Sequence, residues 1–491
     1  MKKLKTFTLL IAIFIATNIC AQPVALDPTF GENGMVVIPN TSEIQLVEFD
    51  NSGNIIAAGY TLNEGKYYLT IVKTNENGII DQNFGTDGIV TGTECNAGAV
   101  LGLKITNENK IFVTGSFYVN EYDGNKRTFM QFNENGTLDE TFGENGKIVT
   151  DFGTGTYCIN LESDDFILFG AVDYDSGLPL ILKCNYYGVL DRTFGDNGRA
   201  YLMDGEEYRI VPKSIKILND QSILIAGRNY YDGLELTFCK IDANNGNFVT
   251  DFADNGIRRG ALDPTWYPAT TINTSIIDVI EDYNGNLTLL ATVYEMLPTL
   301  QMSIACRFLP NGDMDSSDFG IRGYYYYLWP YSDYFPEKPQ KILQNGSNYI
   351  IGSYDKIRSL NHSGILDLDF NHTGIYDCEN FVFLDMKLQK TNKLILGGVF
   401  NGNLAIIRLA IPYKVSIKET HYPENRINIF PNPTTDYLYF SNEAKFEMMD
   451  IQGRVLIKSE KPLQSVNVSH LKAGVYFIRF EGDRVGKFVK M

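Results

Sequence analysis

The residues that could do chemistry in this chain are few in kind. Four His occur in 491 residues: His362, His372, His421 and His470. A histidine-based acid–base or metal site needs side chains that converge, and only His362 and His372 are near enough in sequence to meet across a turn. No Gly-x-Ser-x-Gly elbow, His-Glu-x-x-His pair or phosphate-binding glycine loop is present. Asp173-Tyr174-Asp175-Ser176-Gly177 begins like a calcium loop, but its twelfth position is Cys184, where a bidentate Glu belongs. Cys95, Cys158, Cys184, Cys239, Cys306 and Cys378 include no Cys-x-x-Cys pair, which argues against zinc. Cys184, Cys239 and Cys306 sit in or beside apolar runs, where a thiol serves as a small hydrophobe. Carboxylates are too numerous to single out a catalytic pair. No catalytic residue, metal ligand or cofactor is nominated.

Aromatic side chains are the stronger candidates. The two Trp of the chain stand in similar settings: Trp266 before Tyr267, and Trp329 before Tyr331, Tyr334 and Phe335. Tyr201 and Tyr208 occupy the matching stretch one repeat earlier. Rings exposed together on one face can stack on sugars or hold an extended peptide, with carboxylates fixing orientation. Rings packed against each other inside loops would be structure only. Both readings stay open at this stage.

What must position these rings is a repeat. Leu26-Asp27-Pro28-Thr29-Phe30-Gly31-Glu32-Asn33-Gly34 returns along the chain, marked by Phe30, Phe84, Phe142, Phe194, Phe252, Phe319 and Phe370. The spacings are 54, 58, 52, 58, 67 and 51 residues. A period near fifty is the signature of a repeat architecture. After each motif come four short runs, which in the first copy cover 35–38, 44–49, 54–60 and 67–73. The second alternates, as in Leu101, Leu103 and Ile105, and the third is nearly all apolar and ends on Gly. Polar Asn-Gly turns separate them, so each unit reads as a four-stranded meander. The motif Phe is expected to plug apolar space between sheets, and its Asp to form an Asx-turn. Calcium binding by the motif Asp is disfavoured, because copies fifty residues apart do not converge and the fifth copy has Val249.

These features predict an all-β chain: a seven-bladed β-propeller over residues 22–412, with a linear solenoid as the rival. The motif resembles the delta-sixty repeat, a β-propeller repeat of bacterial surface and secreted proteins, over roughly residues 24–411. That resemblance implies a fold and no particular chemistry. In an up-and-down sheet, the first-to-second and third-to-fourth connections share a face, and the aromatic stretches fall on that face.

Residues 1–21 read as a secretory signal peptide, with Lys2, Lys3 and Lys5 before the apolar run 7–16 and Ala21 for cleavage. A lipid anchor on Cys20 is the less favoured reading, since Ile19 is bulky. Net charge is −17, and the last 65 residues contribute none of it, with nine basic and seven acidic side chains. So negative a surface on the repeats argues against nucleic acid as partner. Residues 413–426 lack a period and read as a linker. The remainder, 427–491, reads as short strands forming a small C-terminal β-sandwich.

This ending resembles the type A C-terminal sorting domain of the type IX secretion system of Bacteroidota. The residues that carry the likeness are Pro431, Asn432, Pro433 and Asp436, then Gly453, Gly474 and Tyr476, and finally Lys487. The resemblance implies passage through the periplasm and across the outer membrane. The implied partners are the type IX machinery and its sortase-like peptidase, which often attaches cargo to surface lipopolysaccharide. The reading that follows is an exported binding or adhesion protein of the cell surface or medium, whose ligand is an extracellular glycan or peptide. A carbohydrate-active lyase or hydrolase on the same scaffold, and a structural surface component, are the alternatives.

Overall fold

The computed structural model describes residues 24–412 and 429–490, apart from 121–123, 150–155, 162, 164, 174–175, 205–207, 230–235, 260–271, 296–300, 330–338, 390–391, 431–433, 451–453, 473 and 481–483. All regular structure among them is β, and the named strands pair antiparallel. The chain forms two compact units, divided between Ser416 and Ile417.

In the first unit the strands form consecutive meanders. Glu43–Phe49, Ile55–Asn63 and Lys66–Thr74 pair in chain order and end on the start of the long strand Ile89–Ile105. The second half of that long strand opens the next meander, with Ile111–Asn120, Gly124–Phe132 and Lys147–Val149. Similar sheets open on Thr156–Asn160, Tyr208–Ile217, Ile272–Glu281, Pro339–Asn345 and Phe381–Gln389. The last of these, completed by Lys393–Phe400 and Asn403–Ala410, receives its outer strand from the other end of the chain. Met35–Ile38 pairs with Asn403–Ala410, matching Val36 to Ile406 and Ile38 to Leu404.

This pairing corrects one expectation. A motif and the four runs after it do not make one sheet; each sheet takes the last three runs of one repeat and the first run of the next. The reason lies in the motif, which is the hairpin turn between a fourth run and the following first run. Asp81 N–H donates to Lys73 O at 3.0 Å and Lys73 N–H to Gly88 O at 3.3 Å. Displacement by one strand then leaves the first run of the chain to complete the last sheet.

The motif also binds neighbouring sheets to each other. All seven motif Phe side chains are at most 3 % exposed. Phe30 packs with Ile44 and Ile55 of one sheet and Ile395 and Leu404 of its neighbour. Gly31, Gly85 and Gly195 donate their N–H to Asn77, Asn135 and Asn245 O, in the turn just before the next motif, at 2.8 to 2.9 Å. Asp27, Asp81, Asp139 and Asp191 each accept the N–H two residues on at 3.1 Å, which is Asx-turn geometry. Phe142 lies 6.0 Å from the Phe112 ring and 5.9 Å from Tyr187. Phe142→Ala is expected to cost roughly 3–5 kcal/mol by urea unfolding, the usual range for an aromatic removed from a core. A loss below about 1 kcal/mol would refute its packing role.

Over its second half the strand that opens each sheet pairs on one side only, and it carries a bulge at a recurring place. The register shifts between Ile44 and Leu46, Val100 and Gly102, Pro212 and Ser214, Ile276 and Asp278, Pro339 and Lys341, and Phe383 and Asp385. The bulge presses on the second strand, which explains the Gly that ends the apolar run there. A Cβ on Gly59 would stand 1.9 Å from Glu43 O, and one on Gly227 would stand 2.1 Å from Val211 O.

The second unit has two sheets. One holds Ile429–Phe430, Tyr437–Ala444 and Leu463–Asn467; the other holds Phe446–Met449, Val455–Lys458, Gly474–Phe480 and Arg484–Lys490. Both contribute to one core, including Leu438, Phe440, Met448, Ile478 and Phe488.

Candidate functional site

The strands that open the sheets line an open cavity of about 540 Å³. Each turns a strand edge toward it, and edge N–H groups need management. Side chains from neighbouring strands do part of that work. Gln45 Oε1 accepts the Val100 N–H at 3.0 Å, Asp278 Oδ2 accepts Ile342 N–H at 3.1 Å, and Asp385 Oδ2 accepts Val47 N–H at 3.0 Å. The last contact joins strands 338 residues apart.

Asp278, Lys341 and Asp385 occupy the same place on three consecutive strands, directly after the bulge. Lys341 Nζ lies 3.2 Å from Asp385 Oδ1, and Lys387 Nζ lies 2.5 Å from Glu48 Oε2. The facing Asp385 carboxylate, and then Asp278, hold the Lys341 ammonium well above its ordinary value. Burial raises the Asp278 carboxyl, against the pull of Lys341 and two backbone N–H donors. Lys104, Lys213 and Lys216 line the remaining wall with Asn160. Such a wall can hold a charged ligand by ammonium groups and edge N–H donors. None of its charges was nominated from sequence, where each reads as a polar residue in an alternating run.

The aromatic residues nominated from sequence mostly lie outside the described residues. Trp266, Tyr267, Tyr331, Tyr334 and Phe335 do so entirely. Trp329 ends the strand Tyr324–Trp329, opposite Gln301, instead of standing in the connection after it, and Tyr208 begins Tyr208–Ile217; both side chains are outside the description. Tyr201 is half-buried, with its hydroxyl 3.4 Å from Asp173 Oδ2. His362 and His372 are exposed in their turns. Cys95, Cys184, Cys239, Cys306 and Cys378 are buried free thiols, and burial pushes Cys184 up to about 12.

Among the sorting residues, Pro431, Asn432, Pro433 and Gly453 are outside the description, and Lys487 is described by its backbone, opposite Phe477. Asp436 is exposed, and its carbonyl accepts the Val468 N–H at 2.7 Å. Gly474 opens its strand. Tyr476 is buried, donates its hydroxyl to Lys472 O at 2.7 Å and stacks on Phe488 at 5.5 Å. Tyr476 therefore belongs to the core of the second unit.

Residues 428–491 match the family model of the secretion system C-terminal sorting domain. Residues 108–142 match a β-propeller domain of unknown function, DUF5122. No curated protein matches the chain. Among solved structures, the chain is similar to PorZ, a surface component of the type-IX secretion system of Porphyromonas gingivalis, at 8 % identity and a TM-score of 0.33, over 91 % of this chain and 70 % of that one. It is similar to the polysaccharide lyase Uly1 at 11 % identity and 0.46, over 78 % and 92 %. It is also similar to the WD40 domain of Neurospora crassa Pan2 at 10 % identity and 0.43, over 81 % and 100 %. No helix among the described residues is long and apolar enough to cross a membrane. The chain is thus a β-propeller protein with a type IX secretion sorting tail, exported to the cell surface or the medium.

Proposed function

We propose that this protein is a seven-bladed delta-sixty propeller with a C-terminal sandwich, made by a member of the Bacteroidota. It leaves the cell through the type IX machinery and presents a binding or adhesive surface outside. The observation that carries this reading is the sorting-domain match over residues 428–491, behind a repeat unit whose sheets are stapled together by their own turns. Removal of the tail by a sortase-like peptidase would leave the propeller as the working part. A propeller holds its connecting loops on a rigid frame, and loops so held are where binding residues concentrate.

The proposed contact surface is the aromatic face: Trp266, Tyr267, Trp329, Tyr331 and Tyr334, with Tyr201 and Tyr208 beside them. Their composition, large rings among carboxylates, suits an extracellular glycan or an extended peptide. The full chain is expected to bind members of a glycan and cell-surface extract array. Trp266→Ala and Trp329→Ala are then each expected to weaken that binding by about thirtyfold, the usual effect of removing an aromatic hot spot. Melting should be unchanged. Binding that survives both substitutions rejects this face. Release of shortened products from an arrayed polysaccharide would replace adhesion with a carbohydrate-active role.

A further inference from the structure

We infer that Asn401 is a site of spontaneous modification, where loss of its side-chain amide loosens the junction that completes the last sheet. Asn-Gly is the pair most prone to this chemistry, because a Gly without a Cβ lets its backbone nitrogen approach the Asn side chain. That nitrogen attacks Cγ, ammonia leaves, and a five-membered imide forms. Water then opens the imide at either carbonyl. One product is Asp; the other carries the main chain through the β-carbon and so lengthens the backbone by a methylene.

The chain has eleven Asn-Gly pairs, all among the described residues. Closing the imide swings the Gly nitrogen towards Cγ, so the Gly must be able to move. In eight pairs the Gly N–H donates to a backbone carbonyl, as Gly34 does to Phe30 O at 2.8 Å and Gly78 to Asn75 O at 3.0 Å. The other three are Asn145-Gly146, Asn345-Gly346 and Asn401-Gly402. Gly146 is buried, and a Cβ there would stand 2.4 Å from Leu138 Cγ. Asn345 is 4 % exposed, and its amide donates to Pro412 O at 2.9 Å. Asn401 and Gly402 are both exposed, and Gly402 is the one exposed Gly of the eleven. A Cβ on it would meet nothing within 4 Å beyond its chain neighbours.

The position of the pair gives the modification its consequence. Asn401 and Gly402 take positive φ, 50° and 76°, in the two-residue turn that sets Phe400 opposite Asn403. Asn403 Nδ2 donates to Asn401 O at 3.2 Å, and Asn403 Oδ1 accepts the Asn40 N–H at 3.1 Å. Beside them, Leu404 N–H donates to Thr41 Oγ1 at 3.1 Å. Asn40 and Thr41 lie just beyond Met35–Ile38, the strand that completes the sheet. A backbone longer by a methylene no longer fits a two-residue turn, and it carries Asn403 away from Asn40.

The test is peptide mapping by mass spectrometry of the full chain, folded and in urea, during incubation in mildly alkaline buffer. In the folded chain Asn401 is expected to react at least about tenfold faster than Asn33, Asn77 and Asn197, whose reaction waits on local opening. In urea the four should react within about threefold of one another, since the fold and not the neighbouring sequence sets the difference. Asn401→Asp has no amide to lose and keeps the length of the turn, so freshly made it should melt like the fresh wild type. Aged wild type, enriched in the β-linked product, should melt lower than both. Should Asn401→Asp melt early, the rates decide the site, because they are read on the wild type alone. Asn33, Asn77 or Asn197 reacting as fast as Asn401 in the folded chain overturns the site. A tenfold lead for Asn401 that persists in urea overturns the role of the fold. Aged and fresh wild type melting together overturns the loosening of the junction.

Discussion

A chain ending at Arg426 is expected to reach the periplasm and to be missing from the surface and the medium. The sorting tail is a separate unit with its own core, so its loss takes no side chain from the cluster that holds Phe30 or from any other cluster of the repeats. The shortened protein should therefore melt like the corresponding unit of the full chain, which excludes misfolding as the reason for retention. Fractionation of the native host, with antibody to the repeats, gives the result directly. Wild-type amounts of truncated protein outside the cell would sink the proposed delivery route. Within the tail, Tyr476 and Phe488 stack in the core.

Opening the last sheet is expected to be the most damaging change to stability. Val36 and Ile38 are 6 % and 1 % exposed, whereas Val37 between them is 37 % exposed. Val36→Asp with Ile38→Asp puts two carboxylates against Ile395, Leu404 and Ile406. Each lost apolar side chain is worth about 1.5–3 kcal/mol, and a buried charge adds to that. The sum, on the order of 5 kcal/mol, rivals the whole stability of an ordinary domain. Val37→Asp, one residue away on the outward face, should change the urea midpoint little. Equal midpoints for the two variants would mean that Met35–Ile38 does not close this sheet. The same junction is tied by Arg408, whose Nε donates to Asp27 Oδ2 at 2.9 Å and whose guanidinium lies 4.8 Å from the Phe30 ring centre. Burial alone would raise the Asp27 carboxyl, but Lys393, Thr29 and Arg408 together hold it well below its ordinary value.

Turn chemistry was legible because it is local. An Asp accepts the amide two residues on, and Asn33, Asp87, Asn145 and Asn197 take positive φ, whatever the rest of the chain does. The alternation of the second run and the wholly apolar third run are also local. The phase of the repeat was not legible. Four runs after a motif look like one sheet, and only the strand pairing shows that the first run belongs with the strand before it.

Period, all-β class, motif turns and the tail's likeness to a sorting domain were thus determined by the sequence itself, through interactions spanning a few residues. Only the tertiary structure decided that Asp27 meets Arg408 and that Asp385 caps Val47, 381 and 338 residues apart. It also decided that Asp278, Lys341 and Asp385 share a wall with Lys213 and Lys216. Each of those charges, read along its own strand, is one polar side chain in an alternating run. Their common address comes from sheets that pack side by side, and no local rule encodes which distant strand will be opposite.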